Sequence, residues 1–130
     1  MTISFEKINK NAFYSRQQLA ELWGYSSFHA IARGVVTPRY DNKIVLFVTE
    51  KKQSSAEQYA DYLTGSILEW EGPTDHFAED RILKILSTGD EIHLFHRERH
   101  HTDFTYYGRL GIIDYILQSD RPSRFRFKII

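Results

Sequence analysis

The chain has no cysteine, which excludes disulfides, cysteine-based zinc motifs and a thiol nucleophile together. It has no apolar run near the ~20 residues that a membrane-spanning helix needs. No apolar stretch of signal-peptide type follows Met1. These absences point to a reduced, cytoplasmic setting with no membrane partner. An excess of charge is missing too, since 17 Lys and Arg balance 17 Asp and Glu. Polyanion binders usually carry surplus cations, so the balance argues against binding by bulk charge. The seven glycines are scattered, with no Gly-x-Gly-x-x-Gly and no Gly-Lys-Ser/Thr, so no phosphate loop is present. Gly-x-Ser-x-Gly and His-Glu-x-x-His are absent as well.

What is present is length enough for one domain over residues 1–130, burying roughly two-thirds of the surface of its unfolded form. The charge is unevenly spread. Residues 1–40 hold five basic and two acidic side chains, 41–90 hold five and ten, and 91–130 hold seven and five with four of the six histidines. Nine Phe, eight Tyr and two Trp gather in short alternating runs, a pattern that suits a pleated, half-buried surface. No internal repeat or low-complexity segment interrupts it.

Ser15 with Gln18 fits a capping box, and Leu19, Leu22 and Trp23 share a face before Gly24, which predicts a helix over 15–23. Residues 25–34 have no period and read as a loop with one helical turn. Val35-Val36 is extended and stopped by Pro38. Lys43–Glu50 is a nearly continuous apolar run after the Asp41-Asn42 turn, as expected of a central strand covered on both faces. After a polar stretch at 51–58, Tyr59–Leu63 leads into a strand at Gly65–Trp70. Ala78, Ile82, Ile85 and Leu86 fall at helical spacing and predict a helix over His76–Leu86. Glu91–Glu98, Phe104–Arg109, Ile112–Leu117 and Phe125–Ile129 complete the strands. The fold class is α+β: a small, curled, mostly antiparallel sheet or barrel of five or six strands with about two helices.

The candidate site centres on Trp70, set between Glu69 and Glu71 where a strand runs into Gly72-Pro73. An aromatic there can stack on a base, and Asp61 just ahead can accept from the exocyclic amine of cytosine. Each has a plain alternative, Trp70 as a core anchor and Asp61 as a turn cap. Tyr25 or Phe28 of the 25–34 loop could complete a base sandwich. In Phe104–Gly108, Phe104 and Tyr106 share one face and Tyr107 takes the other, where it is a further candidate for the base pocket. The last strand alternates Arg124, Arg126 and Lys128 with Phe125, Phe127 and Ile129, so its cations form one row, either solvated or tracking phosphates. Arg33, Arg97 and Arg99 are further phosphate candidates. His93, His96, His100 and His101 lack the pattern of a metal site, since His93 and His96 lie on opposite faces of a strand. No metal, cofactor or catalytic residue is therefore expected.

Tyr14-Ser-Arg-Gln-Gln-Leu-Ala-Glu-Leu, Arg33-Gly34-Val35, Leu46-Phe47-Val48-Thr49, Tyr59-Ala-Asp61-Tyr62, Leu68-Glu-Trp70, His93-Leu94-Phe95-His-Arg97 and Phe104-Thr-Tyr-Tyr-Gly108 carry a resemblance covering about Tyr14 to Lys128. Together they look like the C-terminal domain of unknown function attached to phospholipase-D-type nuclease and helicase modules in bacterial restriction of modified DNA. The resemblance implies a reader of modified cytosine with an architecture similar to base-flipping PUA and SRA-type barrels. It also implies a nuclease or helicase partner in trans, because this chain has neither segment. The residues leave two other readings open: a protein-interaction or regulatory domain using the same aromatics as core, and a small metal-dependent nuclease using Asp61, Glu69, Glu71 and a histidine.

Overall fold

In the apolar run at 43–50, alternate side chains serve two different cores. Ile44, Leu46 and Val48 point into one cluster, while Val45 and Phe47 point into another. This strand is covered on both faces, and that is why its sequence shows no polar alternation. The computed structural model describes residues 3–51 and 61–130, with the backbone alone at Lys51. The polar stretch after Lys51 and the expected start of a strand at Tyr59 lie outside the described residues.

The elements are β1 (Phe13–Tyr14), α1 (Arg16–Leu22), a 3-10 turn (Phe28–Ile31), β2 (Val35–Val36), β3 (Lys43–Lys51), β4 (Tyr62–Thr64), β5 (Ile67–Glu71), α2 (Glu79–Leu83), α3 (Ile85–Thr88), β6 (Glu91–Arg99), β7 (Phe104–Ile116) and β8 (Arg124–Ile129). The sheet runs β2-β3-β6-β7-β8-β5-β4, with β1 paired to β7. Every pairing is antiparallel except β3 with β6. The sheet curls without closing. Near one end of the open side, Glu50 of β3 pairs with the buried His96 of β6 and accepts the Leu63 N–H of β4 at 3.4 Å.

The concave face packs Leu68, Trp70, Phe125 and Phe127 against Ile82 and Ile85 from the short helices. On the opposite face of β3, β6 and β7, the N-terminal segment and α1 bring Ile3, Leu19 and Trp23 onto Phe47, Phe95 and Phe104. The predicted capping box holds: Ser15 accepts from the Gln18 N–H, and the Gln18 side chain accepts from the Ser15 N–H.

Three expectations are corrected. The two strands foreseen at 104–109 and 112–117 are a single strand, β7, which bends at bulges opposite β6 and β8. Gly108 lies beside the first bulge at φ 97°, a conformation that most side chains resist. The helix foreseen over 76–86 begins only at Glu79 and breaks at Lys84 into two short pieces, so three helices replace two. Ile82 and Ile85 are buried as their spacing predicts, but Leu86 is 97% exposed.

Within the second core, His93 stacks on Phe5 with ring centres 3.9 Å apart. Its Nδ1 meets the Tyr106 hydroxyl at 2.7 Å and its Nε2 the Glu91 carboxylate at 2.9 Å. Burial pushes the imidazole below its ordinary range despite Glu91, and pushes the Tyr106 phenol up to about 12. Tyr106 therefore donates to a neutral His93. Below pH ~6.5 the unfolded chain takes up a proton that folded His93 refuses, so stability falls as pH drops, by at most about 1.4 kcal/mol per pH unit from this group. Melting curves between about pH 7.5 and 5.5 check this. His93→Gln should flatten the slope, and parallel slopes for parent and variant would reject it.

Candidate nucleic-acid interface

The two ends of the sheet face each other across a cavity of about 370 Å³. Arg33, Gly34, Val35 and Phe47 form the wall from the β2–β3 side. Asp61, Trp70, Glu71, Gly72 and Pro73 form the wall from β5 and its flanks, and Thr74, Asp75 and Phe77 close the rim. That volume suits a small organic ligand, for which pockets run about 300–1,000 Å³.

Asp61 lies at the base of this arrangement, 4% exposed, with Oδ1 accepting the Glu71 N–H at 2.8 Å. The carboxylate is thus fixed in place by backbone. Trp70, also 4% exposed, packs on Phe125 and Phe127 at ring distances of 5.6 and 5.9 Å. It serves as a core anchor and contributes to the cavity wall at the same time. Glu69 and Glu71 alternate with it as the strand period requires, and Glu69 faces out opposite Arg126.

Phe77 is the aromatic that sequence reasoning missed. It is 37% exposed at the rim, and the Arg33 guanidinium carbon lies 5.2 Å from its ring centre. Its two neighbours adopt left-handed backbone, His76 at φ 60° and Ala78 at φ 66°. For Ala78 this conformation costs about 1–2 kcal/mol. The bend is tied down on both sides: the Phe77 N–H donates to Asp75 Oδ1, His76 pairs with Glu79, and Glu79 accepts from the Ser123 hydroxyl at the start of β8. Strained backbone held by its surroundings is common at binding sites.

Of the sequence-predicted residues, the cavity brings together Trp70, Asp61 and Arg33. Tyr25 packs against the second core instead, where burial and then Asp41 push its phenol up. Phe28 sits on the 3-10 turn with its ring 4.3 Å from that of His29. Tyr107 packs on the concave core and meets His96 edge-on. None of these three lines the cavity.

The last strand alternates as expected, with Phe125 and Phe127 buried and Arg126 and Lys128 exposed. Its row of cations lies outside the cavity. Arg126 forms a two-pronged pair with Asp114, at 3.0 and 2.6 Å. Arg124 lies opposite Glu71 in the strand register. Arg99 is exposed at the end of β6, while Arg97 lies 4.2 Å over the Phe104 ring and donates to Thr49. Among the described residues no three His, Asp or Glu side chains are arranged to hold a metal ion. No described helix is long and apolar enough to cross a membrane.

No protein-family model matches the chain, and no curated protein matches it. Solved structures do. Over 100% of this chain and 94% of the other, it superposes on the SRA (SET and RING associated) domain of SUVH5 in complex with hemimethylated CG DNA, with a TM-score of 0.68 at 10% identity. The same domain in complex with fully methylated CG DNA gives 0.63 at 11% identity over the same shares. The fold is PUA-like, of the SRA type. Agreement over the whole chain at such low identity means that the SRA architecture is reached here with a largely different set of side chains. The curled, mostly antiparallel sheet expected from the strand pattern is therefore what the chain forms.

Proposed function

We propose that the chain is a reader of modified DNA, taking a nucleotide turned out of the duplex into the cavity between β2–β3 and β5. The base stacks on Phe77, and Asp61 accepts from the exocyclic amine of cytosine, a pairing that donor and acceptor geometry dictates. The observation that carries this reading is the meeting of a buried, backbone-fixed carboxylate with aromatic walls in one cavity of ligand size. Extruding a nucleotide costs a few kcal/mol of lost stacking and pairing. Stacking on one aromatic ring recovers about 1–3 kcal/mol, and the edge contact adds to it.

The SRA-type fold supports this reading, because the two solved neighbours are SRA domains in complex with methylated CG DNA. The resemblance to restriction-associated modules supports a role in bacterial, cytoplasmic defence, with nuclease or helicase activity supplied in trans.

The test is a binding panel of duplexes that differ only at one CG: unmodified, hemimethylated, fully methylated and hydroxymethylated. At least one modified duplex should bind about tenfold or more tightly than the unmodified one, a difference of about 1.4 kcal/mol. Phe77→Ala should remove most of that preference and leave binding to unmodified DNA unchanged. Equal affinity across the panel would reject the reading.

A further inference from the structure

Two arginines crowd one ring beside the cavity. The Arg16 guanidinium carbon lies 4.6 Å from the Phe47 ring centre and 5.1 Å from that of Phe104, and Arg97 covers Phe104 at 4.2 Å. Neither has an ion-pair partner among the described residues. Arg97 is satisfied by neutral groups, its Nε donating to Thr49 Oγ1 at 2.9 Å and its Nη1 to the Thr102 carbonyl at 3.0 Å. Arg16 is not. Its Nη2 reaches the Arg33 carbonyl only at 3.5 Å, and its Nε is buried with no partner.

A half-buried cation whose buried Nε lacks an acceptor, next to a second cation, is unfavourable on two counts. The N–H loses its hydration, and the like charges repel in a medium that screens them poorly. Burial, together with Arg97, holds the Arg16 pKa down to about 10. An unsatisfied group of this kind calls for a ligand that completes it. Planar guanidinium forks suit the oxygens of a phosphate.

We propose that Arg16 and Arg97 form an anion site that holds a backbone phosphate of the bound DNA strand. The identity of the strand rests on the reader function above, whereas the anion site itself does not. The site adjoins the cavity through Phe47, which belongs to both, and through Arg33, whose carbonyl accepts from Arg16 while its guanidinium covers Phe77. A phosphate there would meet the accessible edges of the two guanidiniums and relieve the repulsion between them. It would belong to the nucleotide in the cavity or to its neighbour in the strand.

The experiment uses the full chain and Arg16→Met, which keeps an apolar stem of similar length. The variant should melt higher than the parent, because it loses a half-buried charge that has no ion-pair partner and repels Arg97. It should also bind duplexes more weakly, by a similar factor for modified and unmodified DNA, with the slope of log affinity against log salt reduced by about one. Inorganic phosphate, compared with chloride at matched ionic strength, should raise the melting temperature of the parent and not of Arg16→Met.

A variant that melts lower than the parent, with no phosphate response in the parent, would make the guanidinium structural and overturn the site. A phosphate response combined with an unchanged salt slope for duplex binding would overturn the assignment to DNA. If the parent responds to phosphate but binds no duplex, the reader function fails and the anion site stands.

Discussion

Replacing Trp70 with alanine is expected to destabilise the protein by about 3–5 kcal/mol, the range for removing a large aromatic from a packed core. The indole is 4% exposed and wedged against Phe125 and Phe127 on β8, so its loss leaves a void under the sheet as well as a wider cavity. Loss of DNA binding in this variant would therefore carry little information unless the fraction folded is measured alongside. Denaturant unfolding of parent and variant decides the point. A change below about 1 kcal/mol would mean that the indole is not a structural anchor and that its faces are open to ligand.

Asp61→Asn is expected to cost roughly ten- to a hundredfold in affinity for a duplex whose cytosine enters the cavity, the value of about 1–3 kcal/mol for a well-placed base-edge contact. Asparagine keeps an oxygen for the Glu71 N–H, so that bond should persist. It replaces the other carboxylate oxygen with an amide that donates. A donor would then meet the amine of cytosine where an acceptor is required. Asp61→Ala makes a useful contrast, because it leaves the Glu71 N–H without its acceptor and should cost about 1–3 kcal/mol of stability besides. Unchanged affinity for that duplex in a folded Asp61→Asn variant would remove this carboxylate from base reading.

The parts of the fold that local physics dictates were legible in the chain. The reciprocal bonds of Ser15 and Gln18 follow from one cap sequence, and the double coverage of β3 follows from a run with no polar alternation. The alternation of Phe125 and Phe127 with Arg124, Arg126 and Lys128 likewise told which side faces in. What local pattern could not supply was the bend around Phe77. Ala78, Ile82 and Ile85 have helical spacing, and neither His76 nor Ala78 is a residue that advertises left-handed backbone. Tertiary anchoring through Glu79 and Ser123 imposes that bend, and it turns an apparent helix residue into part of the cavity rim.

The candidate site was legible in the same uneven way. Asp61, Trp70 and Arg33 converge, although 28 residues separate Arg33 from Asp61, because the curl brings β2 and β5 opposite each other. Tyr25 and Phe28 were placed with them on account of the irregular 25–34 loop. That segment instead follows α1 onto the far face of β3, where Tyr25 seals the second core. Arg16 gave no signal, since a cation in the first turn of a short amphipathic helix reads as an ordinary solvated residue. Only its missing acceptor singles it out.

The lateral order of the sheet has one more consequence. The strands that wall the cavity lie near its two opposite ends, so the recess exists only while the whole sheet keeps its wrap. Whatever occupies it acts as a staple across a seam where, among the described residues, Glu50 accepts a long hydrogen bond from Leu63. Occupancy and resistance of that seam to parting are then one equilibrium seen from two sides, and loosening the seam weakens the grip on the ligand without touching any residue that contacts it.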